Sequence, residues 1–271
     1  MSPPSIGVIG LGRMAQALIE PLIASGSVDP DQVTAVVGRP ESAAALKQGV
    51  FGRCVIHSAE SAEAAEVLTA PLQLLAIKPQ QVEHAAASLP AVGGSPLLVS
   101  VLAGVSLSRL ERLFPSHRVV RAVPNTPALV GQGLTALAWG DNVSSSQRQE
   151  VQALFAGVGE VLELAEEKLD AFLALTSSGP AFVALVAEAM ADGAVAAGLP
   201  RDLAQRLAHR TLAGSAALLD QRQLHPASLK DMVASPGGTT IAGVRALERG
   251  GLRSALIEAV IAAAERSREL A

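Results

Sequence analysis

The chain changes its hydrophobic period near residue 164, and that change limits its fold more than any single motif. Before it, short apolar runs at 6–9, 33–37, 54–56, 72–77, 97–101 and 119–123 alternate with helical stretches such as 14–24 and 41–48. Strands alternating with helices of this length predict a doubly wound parallel sheet. After it, 168–175, 181–197, 202–220 and 252–270 all read as helices, with no strand between them. The expected class is therefore α/β: a doubly wound parallel-sheet domain over residues 1–164, then an all-helical domain over residues 165–271.

The helical part carries a second expectation. Residues 181–199 are the longest apolar stretch, yet they contain Glu188, Asp192 and two glycines, so they read as a buried helix and not a membrane span. A helix apolar on most faces must be covered by its own core or by another subunit. A helical half of roughly a hundred residues covers such faces more easily with a partner. A homo-oligomer is expected.

Composition removes several function classes. There is no Tyr, aromatics make up 2% of the chain, and the formal charge is −4. A tyrosine acid, an aromatic stacking platform and a basic footprint for nucleic acid are all excluded on that basis. The single cysteine, Cys54, allows no internal disulfide and no cysteine-based metal cluster, so no metal is expected. Met1-Ser2-Pro3-Pro4 places no basic stretch before the first apolar run, and a cytoplasmic location is expected.

Gly10-Leu11-Gly12-Arg13-Met14-Ala15 follows the first strand and opens a helix. This is the G-x-G-x-x-A fingerprint of a Rossmann domain. Its glycines let a pyrophosphate approach the backbone, and the helix N-terminus favours the negative charge. An Asp or Glu ending the second strand would select NAD through the ribose hydroxyl, but here the strand ends at Gly38-Arg39. Arg39 can pair with a 2′-phosphate, so NADPH is expected, with NADH the less favoured cofactor. Ala76-Ile77-Lys78-Pro79, Ala103-Gly104 and Pro124-Asn125-Thr126-Pro127 end further strands on the same edge and outline a cofactor groove. In that groove Asn125 is placed to hold the carboxamide of a nicotinamide.

Ser235-Pro236-Gly237-Gly238-Thr239-Thr240 interrupts the helical half. Proline and two glycines cannot continue a helix; they leave bare backbone followed by two hydroxyls. By itself the segment reads either as a helix–helix turn or as a ligand-binding loop.

Together with Arg121-Ala122-Val123-Pro124-Asn125-Thr126-Pro127-Ala128 and Ser178-Gly179-Pro180-Ala181, these blocks resemble the Δ1-pyrroline-5-carboxylate reductase family, in that family's order and over nearly the whole chain. The resemblance implies NAD(P)H-dependent reduction of the cyclic imine 1-pyrroline-5-carboxylate to L-proline, the last step of proline biosynthesis. It also implies a helical domain that interlocks into dimers, often assembled into decamers. It puts a proline-like ligand against Ser235, Gly237, Gly238, Thr239 and Thr240, with the Thr240 hydroxyl beside the ring nitrogen and Glu166 at an acidic position near the substrate. The amides around Gly237, Gly238 and Thr239 can form a small nest for its carboxylate. No strong general acid is needed if the imine enters protonated, which fits a chain whose five histidines lie outside these blocks.

The chain departs from the family at Arg13, where Asn or Gln is usual, at Val123, and at Thr176-Ser177-Ser178, where the family has Ser-Gly-Ser. The alternatives are another cyclic-imine reductase, a β-hydroxyacid dehydrogenase or a non-catalytic NADPH-binding protein. The dehydrogenase class needs a Lys followed four residues later by Asn, whereas Lys168 is followed by Phe172 and Lys230 by Ala234.

Overall fold

A computed structural model describes residues 5–88 and 93–270; the Met1-Ser2-Pro3-Pro4 segment lies outside the described residues. β1 (Ile6–Ile9) runs into the glycine turn and α1 (Arg13–Ala24) leaves it. Then come β2 (Val33–Val37), α2 (Pro40–Leu46), β3 (Val55–Ser58), β4 (Leu72–Leu75), α3 (Val82–Ser88), β5 (Leu97–Ser100), α4 (Leu107–Leu113) and β6 (Arg118–Val123). The crossover from β3 to β4 is a 3₁₀ segment, Ala62–Thr69, in place of an α-helix. These six strands pair in parallel in the order β3-β2-β1-β4-β5-β6. The strand order reverses between β1 and β4, where sheets of this type bind ligands beyond their carboxyl ends.

The continuous apolar strands are explained by burial on both faces. Val8, Ala35, Leu74, Val99 and Val120 join Leu18, Ile19 and Leu22 of α1 in one core. Their sequence neighbours Ile9, Val36, Leu75, Leu98 and Val119 join Val82 of α3 and Leu110 of α4 in the other. Each fully buried side chain of this size contributes about 1.5–3 kcal/mol of transfer free energy. Cys54 is buried in the first core, and burial with Asp31 nearby pushes its thiol up to about 11.

Two further strands extend the sheet beyond the six expected. β7 (Gly133–Trp139) runs antiparallel to β6, α5 (Ser145–Ala156) follows, and β8 (Gly159–Glu163) lies parallel to β7. The strand signal at 133–139 is muted by glycine and alanines, which have little strand preference. The 3₁₀ turn Thr126–Val130 returns the chain beside β6, as a short antiparallel link does.

The chain forms two compact units: Met1–Ser177 with Ala263–Ala271, and Ser178–Ala262. α6 (Leu169–Thr176) belongs to the first. The second holds α7 (Gly179–Ala196), α8 (Arg201–Gln221), α9 (Pro226–Val233), α10 (Thr239–Arg249) and the start of α11 (Leu252–Glu269). α9 and α10 lie between the helices read from the sequence. His225 caps α9, its Nδ1 accepting the Ala227 N–H at 3.2 Å.

Ala191 of α7 packs with Ala204 and Ala208 of α8 in a small core of short side chains. The expected burial of α7 is not met inside one chain. Only Ala187 and Ala191 of that helix are buried, and Leu185 is 67% exposed. The helical run Glu166–Ala196 is long and apolar enough to cross a membrane by length and composition.

Candidate active site

The groove residues read from the sequence all follow carboxyl ends of neighbouring parallel strands. The two glycines of the first turn differ in what holds them. Gly10 has φ +93°, and a Cβ there would lie 2.7 Å from Ile77 Cγ2 and 2.9 Å from the Ala76 carbonyl oxygen. Its N–H donates to the Val36 carbonyl at 2.9 Å, so the fold itself needs this glycine. Gly12 is the N-cap of α1, with φ −81° and ψ −172°, and a Cβ there would meet nothing within 4 Å. The space beside Gly12 is therefore open to a ligand at a helix N-terminus with no side-chain cap. Ala15 is fully buried and Leu11 buried, while Arg13 is exposed and Met14 half-buried.

A cavity of about 360 Å³ adjoins this turn, walled by Gly10, Val37, Gly38, Ala59, Ala64 and Ile77 and closed by Gln81 and His84. Apolar walls with a few polar groups at one end suit the adenosine half of a dinucleotide. Arg39 follows Gly38 at the N-cap of α2 and is exposed. Lys78 is exposed at the start of the 3₁₀ turn Pro79–Gln81, its N–H donating to Gln81 Oε1 at 3.3 Å. His84 is exposed and also lines this wall, with Gln81, Ala85 and Ser88 at helical spacing.

Three of the expected site residues make contacts within the fold itself. The Asn125 side chain is buried, its Nδ2 donating to the Thr176 carbonyl at 3.0 Å and its Oδ1 accepting the Leu134 N–H at 2.8 Å. Those bonds make it an internal latch between the end of β6, β7 and α6. Gly104 has φ +73°, and its Cβ would lie 2.8 Å from the Leu270 backbone. It is required by the returning C-terminal segment, with Ala103 half-buried beside it. Glu166 is the third: its Oε1 accepts the Leu107 N–H at 2.7 Å and the Arg121 Nη1 at 3.1 Å. Its partner Arg121 is 5% exposed inside an apolar strand. A charge in such a run signals buried partners.

In the second unit, the expected loop is the N-terminus of a helix. Gly237 has φ +68°, Gly238 is the extended N-cap of α10, and Thr239 and Thr240 are its first residues. Gly238 donates its N–H to the Ser235 carbonyl at 3.0 Å, so it is not a free donor as expected. The first-turn amides of Thr239 and Thr240 have no partner within the helix. No side chain caps this end, and the helix dipole favours an anion there. Among the described residues no group of His, Cys, Asp and Glu is arranged to hold a metal.

Comparison with known proteins finds relatives over both parts of the chain. A family model described as "Pyrroline-5-carboxylate reductase dimerisation" matches residues 166–270, and one described as "NADP oxidoreductase coenzyme F420-dependent" matches residues 5–104. A pyrroline-5-carboxylate reductase of Synechocystis is 47% identical over 98% of this chain and 97% of its own length. One from Arabidopsis thaliana is 40% identical over 98% and 95%. The NADP-bound crystal structure of Plasmodium falciparum pyrroline carboxylate reductase superimposes with a TM-score of 0.89 at 28% identity, covering 100% of this chain and 99% of that one. On full-length identity of this order, the chain belongs to the pyrroline-5-carboxylate reductase family.

Proposed function

We propose that this protein reduces the C=N bond of 1-pyrroline-5-carboxylate with NADPH, giving L-proline in the last step of proline biosynthesis. The observation that carries this reading is the near-full-length likeness to chains named for that reaction. The open Gly12 face and the uncapped start of α10 support it independently.

NADPH, when bound, supplies the hydride that adds to the imine carbon. The Gly10–Ala15 turn would hold its pyrophosphate, with Ala76, Lys78, Pro79 and Ala103 along the same edge, and Arg39 would pair with the 2′-phosphate. Thr239 and Thr240 amides hold the substrate carboxylate, with Ser235, Gly237 and Gly238 shaping the turn. The Thr240 hydroxyl accepts a hydrogen bond from the protonated ring nitrogen and fixes the imine's orientation. The nitrogen already carries its proton, so a chain without Tyr needs no strong acid. Rate enhancement then comes mainly from orientation.

Functionally the chain divides at 164/165, one residue from the start of the family match at 166. Its helical part pairs two copies, a reading supported by the exposed Leu185, Met232 and Ile257. These dimers assemble into decamers in the cytoplasm, without nucleic-acid or membrane partners. The decisive experiment follows NADPH oxidation at 340 nm (the nicotinamide band) with pyrroline-5-carboxylate, and proline formation in parallel. Absence of both would reject the reading. Light scattering on the eluting protein tests the oligomer; a stable active monomer would reject that part.

A further inference from the structure

We infer that Arg121, Glu166, Asp170 and Ser267 form a latch through which the last turn of α11 positions the loop between β5 and α4 for cofactor binding. The inference rests on the proposed NADPH reading, and its test separates the two.

The loop, residues 101–106, leaves the carboxyl end of β5 and enters α4 at Leu107. The Leu107 N–H is a first-turn donor with no partner inside its helix, and Glu166 Oε1 takes it at 2.7 Å. That oxygen also accepts Arg121 Nη1 at 3.1 Å, while Arg121 Nη2 lies 3.9 Å from Asp170 Oδ1. Asp170 Oδ1 in turn accepts the Ser267 hydroxyl at 2.7 Å. Five segments are joined in one line: α4, the 3₁₀ turn Glu166–Lys168, β6, α6 and the end of α11.

The guanidinium is central because it is buried and needs both carboxylates. Its Nε is buried without a hydrogen-bond partner among the described residues, so Nη1 and Nη2 carry the pairing. Removing one member of such a buried set leaves an uncompensated charge. The same C-terminal turn meets the loop a second time, where the Leu270 backbone fills the space a Cβ at Gly104 would need. The loop is thus held at Gly104 and at Leu107, both times by way of residues 267–270. Arg121 and Ser267 are positioning residues that act through this loop.

Ser267→Ala removes one link and leaves the buried charges paired; Arg121→Lys keeps the charge but replaces the two-nitrogen bridge by a single ammonium. Three readouts are compared with the wild type in the full chain, at temperatures where each variant is folded: hydrogen exchange at the Leu107 amide, NADPH Kd by fluorescence titration, and KM for pyrroline-5-carboxylate. Faster Leu107 exchange is expected in both variants. NADPH Kd should weaken about fivefold in Ser267→Ala and about tenfold or more in Arg121→Lys, with substrate KM within about twofold. Unchanged Leu107 exchange overturns the latch. So does faster exchange with unaltered NADPH affinity, or an equal rise in substrate KM, which marks general loosening. Failure of the wild type to bind NADPH would reject the cofactor reading instead.

Discussion

The two fingerprint glycines should fail in opposite ways when substituted. Gly10→Ala places a Cβ at φ +93°, a left-handed conformation that an L side chain resists by about 1–2 kcal/mol. The new methyl also lies 2.7 Å from Ile77 Cγ2 and 2.9 Å from the Ala76 carbonyl, which belongs to backbone paired with β1 and cannot swing away. Overpacking of this kind adds about 1–3 kcal/mol. The combined loss, roughly 2–5 kcal/mol, lowers Tm by about 4–20 °C at about 2–4 °C per kcal/mol.

Gly12→Ser meets none of this. Its φ of −81° is ordinary, nothing lies within 4 Å of a Cβ, and serine suits a helix N-cap slightly better than glycine, by a few tenths of a kcal/mol. Stability should stay within about 0.5 kcal/mol of wild type. NADPH binding should not, because the hydroxymethyl occupies the face where the pyrophosphate approaches. Loss of one charge-assisted hydrogen bond, about 1.5–3 kcal/mol, weakens Kd by about 10–150-fold. Calorimetry and NADPH fluorescence titration read the two effects separately. A Gly12→Ser protein that binds NADPH within twofold of wild type would refute the assignment of the pyrophosphate to this turn.

Arg39→Gln, at an exposed position, should leave Tm unchanged and lower the NADPH-over-NADH ratio of kcat/KM by about 10–100-fold; an unchanged ratio removes Arg39 from cofactor selection. Thr240→Ala should reduce kcat/KM for pyrroline-5-carboxylate by about ten- to a thousandfold with NADPH Kd unaffected, and unaltered turnover would take its hydroxyl out of the site. His117 is half-buried, its Nε2 3.1 Å from Gln73 Oε1 and its Nδ1 buried without a hydrogen-bond partner among the described residues. Burial lowers its pKa from 6.5, so the folded state favours the neutral ring and the unfolded chain binds the extra proton. Its stabilising contribution is present above pH 6.5 and declines as pH falls below that value. Urea midpoints between about pH 7.5 and 5.5 should drop more steeply for wild type than for His117→Gln. Parallel curves would refute the role.

Whatever depends on near neighbours along the chain is legible in the residues alone. Strand–helix alternation, the Gly10–Ala15 turn at the end of β1 and the break before Thr239 follow from dihedral preferences and periodicity, which operate over a few residues. The alanines and glycine of β7 carry little strand signal; its place is set by pairing with β6. The tertiary structure decided what depends on partners distant along the chain. Gly10 and Gly12 look alike in the motif, and only the approach of Ala76 and Ile77 shows that one serves the fold and the other faces open space. Asn125, Gly104 and Glu166 each carry the right chemistry for a cofactor or substrate. Their partners within the fold include Thr176, Leu270 and Arg121, packed against them by folding. A polar group is assigned by whatever satisfies it, and that is settled only when the chain is compact.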